Sequence, residues 1–173
     1  MLPSFWVNEE IKLETMSPKY REDIFTEFNE DIIRYLLVEQ TPEKIEETDA
    51  FISRAMSQMK DGVDLVWVII ANDEFCGCCG IHNIPSRTPH FGIWIKTNKQ
   101  GQGIGFQVTK AVMEWAIKTL DVDYVKYPVD QDNIPSVRLI QKLTPTVYDR
   151  YLLRKGKELL VNEYRLYPSK NKS

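Results

Sequence analysis

The residues best suited to chemistry lie at Gln100-Gly101-Gln102-Gly103-Ile104-Gly105, where glycine takes every second position. An apolar run, Phe91-Gly92-Ile93-Trp94-Ile95, precedes them, and a helical pattern from Phe106 to Leu120 follows. A glycine-rich turn between a strand and a helix start is a good anion trap. Glycine lets a phosphate approach the backbone closely, and the helix's first unpaired N–H groups are available to its oxygens. Two familiar phosphate motifs are excluded. Gly101-x-Gly103-x-Gly105 is not G-x-G-x-x-G, and no acidic residue ends a following strand about twenty positions on, so a dinucleotide fold is poorly supported. No G-K-[ST] occurs, which removes a Walker loop.

Other reactive side chains are few. His90 opens the apolar run before the turn, and its ordinary pKa suits proton transfer near neutrality. Asp130 and Glu74 are lesser candidates for the same task, and a chain of waters could replace a dedicated base. Cys76-x-Cys78-Cys79, with His82 and His90 downstream, has the residue types of a metal site. Zinc, however, takes four convergent ligands, usually in two spaced pairs, and adjacent Cys78 and Cys79 would point to opposite faces of a strand. We expect no metal, with the thiols filling a sheet interior as small apolar groups. Their odd number and clustering also fail to match a secreted disulfide framework.

The elements that must position these residues can be read from periodicity. Residues 11–15 alternate as a strand. Ser17-Pro18 starts a helix whose face is Ile24, Phe25, Phe28, Ile32, Ile33 and Leu36. Thr41-Pro42 repeats the start signal, Ile45, Ile52, Ala55, Met56 and Met59 form the next stripe, and Asp61-Gly62 ends it. Residues 65–71 are apolar throughout, as in a strand buried on both faces. A turn at 72–74 leads to a hairpin partner at 75–82. Residues 90–95 are the strand that feeds the glycine turn. Another follows at 123–129, where Pro128 cannot donate to a ladder and should break pairing on one side. A short helix over 134–142 is stopped by Thr144-Pro145. Two strands, 146–153 and 158–166, close the chain. The sum is about seven strands and four helices: one mixed α/β (α+β) domain over residues 1–168, with 169–173 a disordered tail.

The chain has 173 residues, 43% hydrophobic and 27% charged, with a net charge of −3. That suits one soluble globular domain. A pI near 5.5 argues against binding nucleic acid through general phosphate neutralisation. No run is long enough to span a membrane, and the N-terminus lacks the pattern of a signal peptide, so we expect a cytoplasmic protein.

Residues 100–105 also fit Q/R-x-x-G-x-G/A, and here the chain resembles the GNAT superfamily of acyl-CoA N-acyltransferases. The resemblance runs along essentially the whole chain. Phe91 to Ile95 is similar to that family's fourth strand. Residues 130–143, containing Asn133-Ile134-Pro135-Ser136 and a Leu-rich helix ending in Lys142, are similar to its second motif. The nearest branch is the ribosomal-protein-alanine (RimJ/RimL-like) N-acetyltransferases and enzymes of related small amines.

The resemblance implies a mostly antiparallel sheet whose fourth and fifth strands splay apart. It implies acetyl-CoA as acyl donor. Its pyrophosphate would lie on Gln100, Gly101, Gln102, Gly103, Ile104 and Gly105, helped by Lys96, Lys99 or Lys110, which could equally be solvated surface lysines. Ile93, Trp94 and Ile95 would face its arm, with a backbone N–H near Ile95 as oxyanion donor. Asn133 would contact the arm, or else merely cap its helix. Ser136 would protonate the departing thiolate. Tyr148 is a second acid candidate, unless it faces the core. Tyr35, Leu36 and Glu39 would wall the acceptor pocket. The acceptor would be a primary amine: a peptide N-terminus, polyamine, amino acid or aminoglycoside. A homodimer is compatible with the final strands. The alternative reading is a non-catalytic acyl-CoA sensor or interaction domain. One departure stands out: Lys142-Leu143-Thr144-Pro145 lacks the K-x-G-F with which the second motif usually continues.

Overall fold

The computed structural model describes residues 4–169. Its centre is the apolar run at 65–71, where Leu65, Trp67, Val68 and Ile69 are buried and the strand β3 (Leu65–Ala71) is paired on both edges. β1 (Phe5–Trp6) and β2 (Ile11–Thr15) lie to one side. On the other are β4 (Glu74–His82), β5 (His90–Ile95), β6 (Val125–Asp130), β7 (Val147–Arg154) and β8 (Glu158–Leu166). The eight strands form one sheet in the order β1-β2-β3-β4-β5-β6-β8-β7, antiparallel except between β5 and β6. The strand beyond the seven expected is β1, two residues long and too short to leave a periodic signal.

Among the described residues five α-helices cover the sheet: α1 (Arg21–Glu27), α2 (Glu30–Ile33), α3 (Ile45–Lys60), α4 (Ile104–Thr119) and α5 (Ile134–Gln141). The expected first long helix is broken, because Asn29 adopts extended backbone and its Oδ1 accepts from the N–H groups of Asp31 and Ile32, starting α2 afresh. Likewise α3 starts at Ile45 rather than at Pro42. Glu47 Oε2 accepts from the N–H groups of Glu43 and Lys44, which satisfies donors the first turn would leave orphaned.

Alternation in the strands sorts the core into two layers. Val66, Val68 and Cys78 pack with Tyr20, Ile24, Ile52 and Ala55 beneath α1 and α3. Leu65, Trp67, Ile69, Cys79, Ile81 and Phe91 pack on the other face with Val108, Val112, Met113 and Ala116 of α4. The adjacent cysteines therefore point into different layers, and burial raises all three thiol pKa values.

Two irregularities shape the site. The β3–β4 register shifts between Ile69 and Ile70, opposite Gly77, which sits at φ 149°. Any Cβ at Gly77 would collide with the Trp94 carbonyl, so only glycine lets β5 lie this close. Between β5 and β6 a single bridge remains, His90 with Lys126, whereas β6 follows β8 for six successive pairs. Past that bridge the two strands part, in the stretch that holds Pro128. The expected tail, from residue 170 on, lies outside the described residues.

Candidate active site

The glycine turn takes its shape from Gly101 and Gly103, at φ 77° and 82°, a left-handed conformation that side chains resist. Gly103 is the N-cap of α4, which begins at Ile104 rather than at Phe106. Gln100 Nε2 donates to the Ile95 carbonyl at 2.9 Å, and Gln102 Nε2 to the Asn98 carbonyl at 3.2 Å, so both side chains brace the turn. At Gly105 a Cβ would sit 3.3 Å from Leu139 Cδ1, so its absence eases the packing of α5 over the start of α4.

A cavity of about 670 Å³ opens beside this turn. It brings together Ile93, Trp94 and Ile95 with Gln100, Gly101, Gly103, Ile104, Gly105, Asn133 and Ser136. Gln102 is not in its wall. Lys99, Arg138 and Lys142 supply cationic groups along it. Of these the sequence offers only Lys99 as a phosphate ligand, Lys142 standing there as the end of the second motif. Lys96 is instead buried and paired with Glu74 at 3.2 Å, and Lys110 pairs with Glu114 on the helix surface. Glu74 also meets Lys99, so this candidate base is held as a carboxylate between two ammonium groups; the hydrogen bond from Lys99, then that from Lys96, lowers its pKa. Asp130 is buried, and its Oδ1 accepts from the Asp132 N–H.

Asn133 caps α5, with its Oδ1 accepting from the Ser136 N–H at 3.4 Å. Ser136 Oγ lies 2.6 Å from the Tyr127 hydroxyl. Burial pushes the Tyr127 pKa up to about 12, outweighing its bond to Ser136, so the phenol keeps its proton and can feed the serine. Sequence reading missed Tyr127; an aromatic at an alternating strand position looks like core. Tyr148 lies elsewhere. It is exposed on β7, 5.4 Å from the Tyr167 ring and 5.2 Å from the Arg165 guanidinium, and lines neither cavity described here.

A second cavity, about 530 Å³, lies under α1 and α3. It shares Leu36, Ile93 and Trp94 with the first, so the two meet at the end of β5. Trp94 packs between Phe28 and Phe75, with centroids 5.2 and 5.9 Å away. Tyr35 borders only the first cavity, and Glu39 neither.

His90 stacks on His82 with centroids 5.0 Å apart. Burial, then His82 and Lys126, push the His90 pKa down to about 4. His90 lines neither cavity, whereas His82 lines the second. His82 Nδ1 is 2.9 Å from Asp64 Oδ2. Burial alone would raise the Asp64 carboxyl, but hydrogen bonds from the Asn83 N–H and His82 outweigh it and hold the pKa below the usual value.

The chain belongs to the GNAT acetyltransferase family: the family's "Acetyltransferase (GNAT) domain" matches residues 10–144. Solved structures repeat the fold over nearly the full length. A RimL ribosomal L7/L12 alpha-N-protein acetyltransferase in complex with coenzyme A superposes with a TM-score of 0.82 at 17% identity, covering 95% of this chain and 98% of that one. The spermidine N-acetyltransferase of Vibrio cholerae, in complex with CoA and spermine, gives 0.79 at 17% identity over 94% and 98%. The microcin C7 self-immunity acetyltransferase MccE, in complex with acetyl-CoA and AMP, gives 0.79 at 20% over 93% and 94%. No curated protein matches the sequence. Among the described residues no helix is long and apolar enough to cross a membrane.

Proposed function

We propose that residues 1–168 act as one domain, an acetyl-CoA-dependent N-acetyltransferase that transfers the acetyl group directly to a primary amine. The observation that carries this is the meeting of two cavities at Trp94, one bordered by the left-handed glycine turn and the other closed by helices. The first fits the donor on three counts. Gly101 and Gly103 admit a pyrophosphate to the start of α4, Lys99, Arg138 and Lys142 offer cationic charge, and the parting of β5 from β6 leaves backbone groups free for amides of the arm.

Acetyl-CoA would supply an activated acyl group as a thioester. The chain's own residues do the rest. Ile93 to Ile95 hold the arm, and a backbone N–H near Ile95 steadies the developing oxyanion. An alkyl amine is largely protonated at pH 7, so a group at the second cavity must take its proton before attack. Ser136 donates a proton to the departing thiolate and is resupplied by Tyr127 across 2.6 Å.

Calorimetric titration with acetyl-CoA and release of free CoA thiol in the presence of amines test the reading. Gly103→Glu, which puts a carboxylate against the pyrophosphate, should abolish binding. Unchanged affinity in that variant would overturn the assignment of the turn. Tight binding with no thiol release across peptide, polyamine, amino-acid and aminoglycoside acceptors would favour a sensor over an enzyme.

A further inference from the structure

His82, which lines the second cavity, is hydrogen-bonded to Asp64 behind it. On the sheet face under α1 and α3, β4 presents Cys78, Gly80 and His82, and opposite them β5 presents Trp94, Gly92 and His90. Gly80 and Gly92 leave a bare strip, and the His82 ring lies along it. A Cβ at Gly80 would fall 2.9 Å from His82 Nε2, and one at Gly92 would fall 3.7 Å from it. The ring therefore runs from its own position toward Trp94, where the two cavities meet.

We propose that His82, oriented by Asp64, takes the proton from the acceptor amine, and that the acceptor is a primary amine carried on an apolar body of aromatic size. This rests on the acetyltransferase reading of the same site. The tautomer follows from the partner: an ionised carboxylate can only accept, so Nδ1 carries the hydrogen shared with Asp64 and Nε2 keeps its lone pair. Along the strip, the Gly92 and Trp94 positions are two residues apart, about 6–7 Å. An amine nitrogen between them reaches Nε2 directly or through one water, and the acyl group at the end of β5 on its other side. The proton moves from the ammonium to Nε2, the freed nitrogen lone pair forms the C–N bond, the C–S bond breaks to a thiolate that Ser136 protonates, and the nitrogen's second proton leaves to solvent to give the neutral amide.

The lining sets the acceptor's character. Ile24, Phe28, Phe51, Val66 and Trp94 form apolar walls. Among the described residues of the lining Glu47 is the one carboxylate, and its Oε2 already accepts from two backbone N–H groups. A polycation's second ammonium would therefore face a mostly apolar wall. Thr48, on the α3 wall, adds no open polar group, because its Oγ1 is buried.

The charged and titratable groups around His82 are Asp64 before β3, His90 stacked beside it, Lys126 beyond His90 on β6, Glu47 across the cavity on α3, and Cys78 and Cys79 on β4. Burial keeps both cysteines as thiols, and His90 is neutral at pH 7. Asp64 is thus the one ionised group bonded to the ring, and it fixes the ring's orientation and tautomer.

The test uses 2-phenylethylamine, phenylalaninamide-terminated and free-N-terminal phenylalanyl peptides, and spermidine as acceptors, with the acetyl-CoA Kd measured separately. We expect kcat/KM for 2-phenylethylamine or the phenylalanyl peptide to exceed that for spermidine at least tenfold; which of the two leads separates a small amine from a peptide N-terminus. A preference for spermidine overturns the acceptor class. His82→Gln should lower kcat by roughly 10²-fold, the lower range for a lost general base. His82→Ala should regain rate with added imidazole, which a merely structural loss would not. Asp64→Asn, a positioning change, should lower kcat while leaving KM and the acetyl-CoA Kd unchanged. If His82→Gln does not fold, Asp64→Asn decides: an unchanged kcat overturns the dyad. Normal acetyl-CoA binding with full activity in His82→Gln refutes this inference alone. Failure of the unaltered chain to bind acetyl-CoA refutes it together with the reading beneath it.

Discussion

Gly80 offers a test of how closely the Leu65 carbonyl and the His82 ring pack over the glycine strip. Its φ is outside the left-handed region, so alanine meets no backbone strain there and gains about 0.5–1 kcal/mol from a stiffer unfolded chain. Against that, the new Cβ lies 2.9 Å from the Leu65 carbonyl oxygen and 2.9 Å from His82 Nε2. The carbonyl belongs to the central strand and cannot retreat cheaply. The ring can move only by loosening its 2.9 Å bond to Asp64. Overpacking of this kind costs about 1–3 kcal/mol, so the net loss is roughly 0–2.5 kcal/mol, centred near 1. For a domain of this size the central figure is a fall in Tm of about 2–4 °C. Gly92→Ala is the control. Its Cβ would meet the same ring at 3.7 Å, an ordinary contact, so the variant should be neutral or more stable by up to about 1 kcal/mol. Differential scanning calorimetry of both variants reads the difference. Equal midpoints, or a Gly80→Ala variant more stable than the parent, would mean that neither the Leu65 carbonyl nor the ring crowds this position.

Three further expectations concern protons and pairs. His90 titrates near 6.5 when unfolded and about 4 when folded, so the unfolded chain binds the proton first as pH falls; the stability held by the neutral ring above pH 6.5 drains away toward pH 4, by at most about 3 kcal/mol. Urea titrations across that window should show the slope, and His90→Gln should flatten it; an unchanged slope would refute the burial argument. Glu74→Ala leaves the buried Lys96 ammonium without its partner and should lower the Tm, with Lys96→Met in the same background recovering most of the loss; no recovery would show that the pair is not the cause. Ser136→Ala should reduce kcat roughly 10²-fold with the acetyl-CoA Kd little changed, and Tyr127→Phe should fall between it and the parent; an intact kcat in Ser136→Ala would remove the serine from proton transfer.

Most of the architecture was written in local pattern. The unbroken apolar run at 65–71 announces a doubly covered strand, and glycines at 101 and 103 announce a turn with positive φ, because each depends on its own residues. What depended on partners far along the chain was not legible. Asp64 and His82 are 18 residues apart and meet only through the β3–β4 hairpin register. Lys96 has the sequence look of a phosphate ligand, but the bulged hairpin carries Glu74 beside it, and the ion pair buries it. Asn29 interrupts a helical stripe whose spacing continues on both sides, so periodicity ran straight through the break between α1 and α2. Tyr148 was rightly on a strand, but alternation alone does not say which face of an edge strand is left to solvent.

The single bridge between His90 and Lys126 also governs how the domain opens. Mechanically the sheet is two plates, β1–β5 and β6–β8, stitched across their seam by one rung, by Arg87 bonded to Asp121 and Asp123 at one end, and by the helices above it. Thermal breathing should concentrate on that seam, with amides flanking it exchanging through local opening while those of β3 wait for global unfolding. A ligand lying in the gap supplies the missing rungs. It would couple the plates into one cooperative unit, so that occupancy is read as slower hydrogen exchange on strands from both halves, including backbone the ligand never touches.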